Sequence, residues 1–244
     1  MRTRILVTVG LLLGVTPPLF ATPFVPPPAC VAGTLDQYLL LDPAGCSIGS
    51  EVAFSGFSFA VVFAGGGAIP IAASDIVVTP TLAGLESSLT FASSGFSVTG
   101  EAFATYHIGY TIDPHPILSG FSSALRADSP VFPGLVSITT DLCLGAAFTG
   151  TSCVPAGVSD AVQVFHNGIV AQLTDSTAFM PLAVLGVLNT IDLQANGASA
   201  DFDSLTNTVT IVPEPATWLL IGSGVLGSRL LRRRSSAGWG PRER

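Results

Sequence analysis

The sequence predicts an all-β body, an antiparallel β-sandwich of jelly-roll-like kind, on three observations. Strand-like runs recur every 8–15 residues along the middle of the chain, separated by Gly, Pro, Ser and Asn. One run, with Ala104, Tyr106, Ile108, Tyr110 and Ile112 at alternate positions, has the period of two that half-buries a strand. Nowhere does the body combine ten or more residues of helical period with proper caps, so the crossover helices of an alternating α/β fold are missing.

Taken in order, Pro26-Pro27-Pro28 is a stiff lead-in, and residues 35–41 suit a short helix with Thr34 as its N-cap. Residues 52–62, rich in Phe and Val, read as a strand, and Gly65-Gly66-Gly67 as a flexible loop after it. Residues 76–79 form a strand bounded by Asp75 and Pro80. The alternating run at 104–112 stops at Asp113-Pro114, and 136–140 follows a turn at Pro133-Gly134. Residues 162–165 and 169–173 flank His166-Asn167-Gly168, where Asn-Gly tolerates the positive φ of a tight hairpin turn. Residues 179–188 are apolar but interrupted by Pro181 and Gly186, and the last strand falls near 208–212. No repeat and no linker divides this stretch, so residues 22–212 read as one domain.

Of 244 residues only 10% are charged, against about 25% in an ordinary soluble domain. Hydrophobic residues make up 48% and the mean hydropathy is +0.63, which excludes a disordered acidic tail. All nine basic residues are Arg, and eight of them lie at the two ends. The body from 22 to 212 holds one cation, Arg126, against fourteen acids, a net charge of −13. A phosphate backbone requires a basic footprint, so nucleic acid is excluded as a partner of the body.

The ends read as targeting segments. Arg2 and Arg4, an apolar run over 5–15, the breaker Thr16-Pro17-Pro18 and then Ala21 have the layout of a signal peptide, residues 1–21, cleaved by signal peptidase. At the other end Pro213-Glu214-Pro215 precedes an apolar stretch, 216–231, and then Arg232-Arg233-Arg234. Sixteen residues rise about 24 Å as a helix, short but able to cross a bilayer with local thinning. Trp218 suits one interface, and the Arg cluster marks the cytoplasmic side. Residues 213–234 therefore read as a sorting signal containing one transmembrane helix, followed by a short tail, 235–244.

The order Pro213-Glu214-Pro215, apolar helix, Arg cluster resembles the PEP-CTERM sorting signal of Gram-negative bacteria. That resemblance implies recognition of the tripeptide by an inner-membrane exosortase, an inner-membrane intermediate held by the helix, and removal of the tail on the way to the cell envelope or extracellular matrix. Cys30, Leu35-Asp36-Gln37-Tyr38, Gly45-Cys46-Ser47-Ile48-Gly49 and the Phe-rich run from Phe54 to Phe59 resemble the opening of β-rich PEP-CTERM proteins without assigned activity.

Four Cys, all in the part expected outside the cytoplasm, allow three pairings, and proximity favours Cys30–Cys46 and Cys143–Cys153. A four-thiolate metal site would want a CxxC knuckle, which is absent. Of the three imidazoles, His107 points from the face opposite Tyr106 and Ile108, His115 sits between two prolines, and His166 is a turn residue. Ser47 stands in a Gly-x-Ser-x-Gly pattern, but a hydrolase elbow needs a strand before it and a helix after it. Asp113, Asp201 and Asp203 are candidate hard-cation ligands, with a solvated strand face the simpler reading for the latter two. No catalytic residue, metal or cofactor is assigned. Two classes remain: a non-enzymatic, structural or exopolysaccharide-associated envelope protein, and a secreted polysaccharide hydrolase using two of the fourteen acids.

Overall fold

The computed structural model describes residues 26–49, 51–114, 117–127, 132–154 and 159–212. Along them run β1 (Gly33–Thr34), α1 (Leu35–Leu39), β2 (Cys46–Ile48), β3 (Val52–Gly65), a single 3-10 turn (Ala73–Asp75), β4 (Val77–Ala83), β5 (Glu86–Ala92), β6 (Ser97–Gly100) and β7 (Phe103–Pro114). These are followed by β8 (Leu118–Arg126), β9 (Leu135–Leu144), β10 (Phe148–Thr149), β11 (Ser152–Cys153), β12 (Ser159–His166) and β13 (Ala171–Gln172). The described chain closes with β14 (Thr174–Leu182), β15 (Leu185–Gln194), β16 (Ala198–Asp201) and β17 (Ser204–Ile211).

The strands form a seven-stranded sheet, β13-β12-β9-β15-β7-β3-β2, and a six-stranded sheet, β1-β4-β5-β17-β8-β14, antiparallel throughout. Two small ribbons, β10-β11 and β16-β6, lie outside them. The result is all-β and sandwich-like, as the turn spacing predicts. Alternation sets the register: β7 buries Ala104, Tyr106, Ile108, Tyr110 and Ile112, and β17 buries Leu205, Asn207, Val209 and Ile211. The inward faces meet across the core, where Phe91 of β5 and Tyr110 of β7 have ring centroids 5.9 Å apart. Phe96 and Phe202 stack at 4.4 Å and Phe96 meets Tyr106 edge-on, filling the core near β6 and β16. Along one flank β12 and β14 join the two sheets, the Thr177 hydroxyl donating to Asp160 at 2.6 Å and the Gln163 N–H to Asp175 at 2.8 Å.

Several local expectations change. The helix is present with Thr34 as its N-cap, and Gln37 Oε1 accepts the Thr34 N–H at 3.1 Å, but it ends at Leu39 rather than Leu41. Pro80 does not end its strand: β4 runs on to Ala83, because β1 covers its outer edge only at Val77 and Val78 and no ladder bond is missed there. The ambiguous 179–188 stretch is two strands, β14 and β15, broken between Leu182 and Leu185. His166 and Ala171 pair directly, so the hairpin turn holds four residues and not two. The Asn167 side chain accepts from the N–H groups of Ile169 at 3.0 Å and Val170 at 2.7 Å, which closes this wider turn. Two of the three glycines are packed: a Cβ on Gly65 would lie 2.3 Å from the Phe103 ring, and one on Gly66 2.0 Å from the Glu101 carbonyl oxygen, whereas Gly67 is open. Glycine is there for close approach as well as for the positive φ of 63° at Gly66.

Candidate functional site

The last strand positions the C-terminal motif. β17 lies between β5 and β8 inside the six-stranded sheet, and its inward side chains anchor it in the core. Its ladder persists to the end: the Ile211 N–H donates to the Leu85 carbonyl at 3.0 Å and the Val212 N–H to the Ile117 carbonyl at 2.9 Å. Residue 213 is a proline, which has no N–H to carry that pattern further. Pro213, Glu214 and Pro215, Arg232 to Arg234, the expected transmembrane helix, the short tail and the expected signal peptide all lie outside the described residues. Among the described residues no helix is long and apolar enough to cross a membrane.

Both expected disulfides are formed. Cys30–Cys46 joins the lead-in to β2 with Cα atoms 4.8 Å apart. The same lead-in is held by its backbone, since the Ser47 N–H donates to the Pro28 carbonyl and the Cys30 N–H to the Ser47 carbonyl, both at 2.8 Å. A pocket of about 260 Å³ opens beside this bridge, lined by apolar atoms of Pro28, Val31, Leu41 and both cysteines and by Tyr38. The Tyr38 hydroxyl donates to the Val31 carbonyl at 2.8 Å, and burial pushes its pKa up to about 12, so it stays protonated near neutral pH. Cys143–Cys153, with Cα atoms 5.4 Å apart, folds the β10-β11 ribbon over the outer face of the seven-stranded sheet. Gly186 makes room for it, since a Cβ there would sit 2.8 Å from the Ala146 carbonyl oxygen. Beside the ribbon a cleft of about 150 Å³ is lined by Gly56, Ser58, Gly109, Tyr110, Thr111, Phe148 and Gly150.

The remaining candidates fall in separate places. Ser47 lies on β2, buried, its hydroxyl donating to the Pro27 carbonyl at 2.9 Å, and a turn and β3 follow it instead of a helix. His107 is half-buried on the outer face of β7, as its alternation predicts. Burial raises the pKa of Asp141, on β9, and the charge of His107 opposes that rise. His166 Nδ1 accepts the Gly168 N–H at 3.2 Å, a turn role; His115 lies outside the described residues. Asp201 and Asp203 flank the buried Phe202, and Asp203 faces Arg126 at 3.5 Å on the surface. Asp113 does not join them: it pairs with Ala53 near the Pro114 end of β7, whereas Arg126 and Asp203 sit at the opposite end of the fold. Among the described residues no group of three or more His, Cys, Asp or Glu side chains is placed to hold a metal ion.

Sequence reasoning missed a buried polar network between the sheets. The Asn207 amide donates to the Tyr110 hydroxyl at 2.9 Å and to Asn189 Oδ1 at 2.7 Å, and accepts from the Ser123 hydroxyl at 2.9 Å. The Thr140 hydroxyl donates to Asn189 Oδ1 at 2.8 Å, and Asn189 donates to the Ile108 carbonyl at 3.2 Å. Burial raises the Tyr110 pKa strongly, and the hydrogen bonds with Asn207 and Asn189 only partly oppose it. The signal was present in the sequence: Ser123, Thr140, Asn189 and Asn207 each occupy an inward position of an alternating run.

Residues 212–234 match the family model of the PEP-CTERM protein-sorting motif, which starts at Val212, the last described residue. The motif implies export, exosortase processing and sorting to the cell envelope, and the β-rich body is consistent with proteins that carry it. No curated protein matches the chain. Among solved structures, TmCBM61 in complex with beta-1,4-galactotriose aligns with 63% of this chain and 88% of its own at 9% identity and a TM-score of 0.30. At that score no ligand passes from it to this chain.

Proposed function

We propose that the chain is an exported, non-enzymatic protein of the cell envelope or extracellular matrix, whose disulfide-bonded β domain is delivered by exosortase processing at Pro213-Glu214-Pro215. The carrying observation is the sorting motif at 212–234, which begins where β17 leaves the sheet. Two prolines bias the tripeptide toward extended backbone, so Glu214 is presented to a processing enzyme between a folded domain and the 216–231 apolar stretch. Arg232 to Arg234 would hold the far end of that stretch on the cytoplasmic side, leaving the tripeptide outside. The signal peptide at 1–21 and the two disulfides agree with an oxidising destination. The body serves as structure or in association with exopolysaccharide. Its surface carries one cation among the residues from 22 to 212, so contacts with a glycan matrix would rest on hydroxyl, amide and backbone groups more than on ion pairing.

The test is intact-mass analysis of the exported fraction. The processed wild-type protein should end near the tripeptide, and Glu214→Ala or deletion of Arg232 to Arg234 should leave the protein in the inner membrane. Exported protein still extending to Arg244, or normal export of the Glu214→Ala variant, would make the segment an ordinary anchor.

A further inference from the structure

We infer that the end of the β domain from which the tail departs rests on the lipid surface while the tail is still attached. The inference rests on the reading of residues 216–231 as a membrane span. Backbone hydrogen bonds hold the chain through Val212, so only Pro213, Glu214 and Pro215 separate the fold from the span. Three extended residues reach about 10 Å at most. The headgroup layer between hydrocarbon and water is about 5–7 Å deep on each side. No spacer is left to lift the domain clear of that layer.

The face so placed is the end of the six-stranded sheet where β4 turns into β5 and β8 begins. Leu85 and Ile117, whose carbonyls accept the amides of Ile211 and Val212, the last two described, are 48% and 41% exposed, and Leu82 is 54% exposed. Met180, close to the Leu182–Leu118 pair on β14, is 84% exposed. Glu51, Glu86 and Asp113 are exposed at the same end, and the described cation, Arg126, is at the other. The face therefore suits zwitterionic lipid and is repelled by anionic lipid. Exposed apolar groups occur elsewhere too, among them Ile69 near the Phe103 end of β7, but the tail does not leave beside them.

The chain's two tryptophans, Trp218 and Trp239, both lie in the tail, which allows single-tryptophan probes in the full-length protein. Each variant is reconstituted in phosphatidylcholine vesicles carrying bromine near the headgroup end of the acyl chains. Trp218, in a Trp239→Phe background, reports insertion of the tail. Leu85→Trp and, independently, Ile117→Trp, in a Trp218→Phe, Trp239→Phe background, report the docking face, and Ile69→Trp reports the far end. The expected result is loss of most emission for Trp218 and substantial loss for Leu85→Trp and Ile117→Trp, with Ile69→Trp unchanged. Replacing part of the lipid with phosphatidylglycerol should weaken the quenching at Leu85→Trp and leave that at Trp218. Quenched Trp218 with Leu85→Trp and Ile117→Trp no more affected than Ile69→Trp overturns the inference and leaves the face to a protein partner, while the span stands. Unquenched Trp218 removes the span itself; quenching at Leu85→Trp would then show lipid docking without it, and no quenching at any probe would remove both.

Discussion

Replacing Asn207 with alanine tests whether the buried network is a structural element of the core. The side chain makes three hydrogen bonds, to Ser123, Tyr110 and Asn189, and Asn207 is 3% exposed. Ser123 still has Thr140 at 3.1 Å, and Asn189 Oδ1 still accepts from Thr140, while the Tyr110 hydroxyl loses the donor that Asn207 supplies. Tyr110 keeps Asn189 as a partner, so the substitution removes three buried hydrogen bonds, each worth about 0.5–1.5 kcal/mol, and leaves every partner with another contact. The expected loss is therefore about 2–4 kcal/mol, a large share of the 5–15 kcal/mol typical of a folded domain. Urea denaturation should show a lower midpoint with an unchanged m-value.

Tyr110→Phe supplies the control, because it removes the hydroxyl that accepts from Asn207. In the double variant the second substitution should cost about 1–2 kcal/mol less than it does alone, a coupling of the size found for directly contacting residues. A loss below about 1 kcal/mol for Asn207→Ala, or additivity within about 0.5 kcal/mol, would refute the reasoning. Either result would mean that water or relaxation satisfies Tyr110 and that the network adds little to the stability of the core.

Two further outcomes follow from the structure. Replacing Cys143 and Cys153 together with alanine should lower stability by about 2.7 kcal/mol for a separation of 10 residues, and replacing Cys30 and Cys46 by about 3 kcal/mol for 16, with peptide mapping of the non-reduced wild type recovering those two pairs. The chain's three tyrosines are all buried, and burial raises all three pKa values, that of Tyr38 to about 12. A raised folded pKa means that stability is intact below the unfolded value near 10 and falls as pH rises through the folded values, by about 1.4 kcal/mol per pH unit for each tyrosine held neutral. Tyrosinate absorbance at 295 nm should therefore stay low just above pH 10 and rise together with loss of the fold; early ionisation in the native protein would contradict the burial.

What the sequence revealed depended on whether the determining interaction was local. The β7 alternation was legible because every inward residue from Ala104 to Ile112 is apolar. The disulfides were legible because partners close in sequence face each other across short loops. The extent of β4 was not, because Pro80 is permitted only by the shortness of β1, a strand more than forty residues earlier. The four-residue turn at Asn167 was misjudged because its side chain caps the turn from within, a choice the Asn-Gly pair leaves open. Ser123, Thr140, Asn189 and Asn207 break the apolar rule at inward positions, and nothing local says that four different strands bring them together. The motif at 212–234 was legible for a different reason: its tripeptide, apolar stretch and Arg cluster follow one another along the chain, so the match needs no long-range contact.

That division bears on how the domain and its tail are coupled. β17, the last described strand, is an interior strand, paired on one side with β5 and on the other with β8. The Thr90 and Thr206 hydroxyls, 2.9 Å apart, join residues separated by 116 positions. In a chain exported N-terminus first, the six-stranded sheet stays divided between β4-β5 and β8-β14 until residues 204–211 emerge, whereas the two short-range disulfides can close earlier. Closing the sheet brings Val212 against Ile117 and leaves no slack before Pro213. On the proposed reading of the tail as a membrane span, completion of the fold and presentation of the sorting tripeptide are consequences of the same strand docking. A substitution that loosens β17, Asn207→Ala among them, should act on stability directly and on tail presentation through the anchoring of its last two residues.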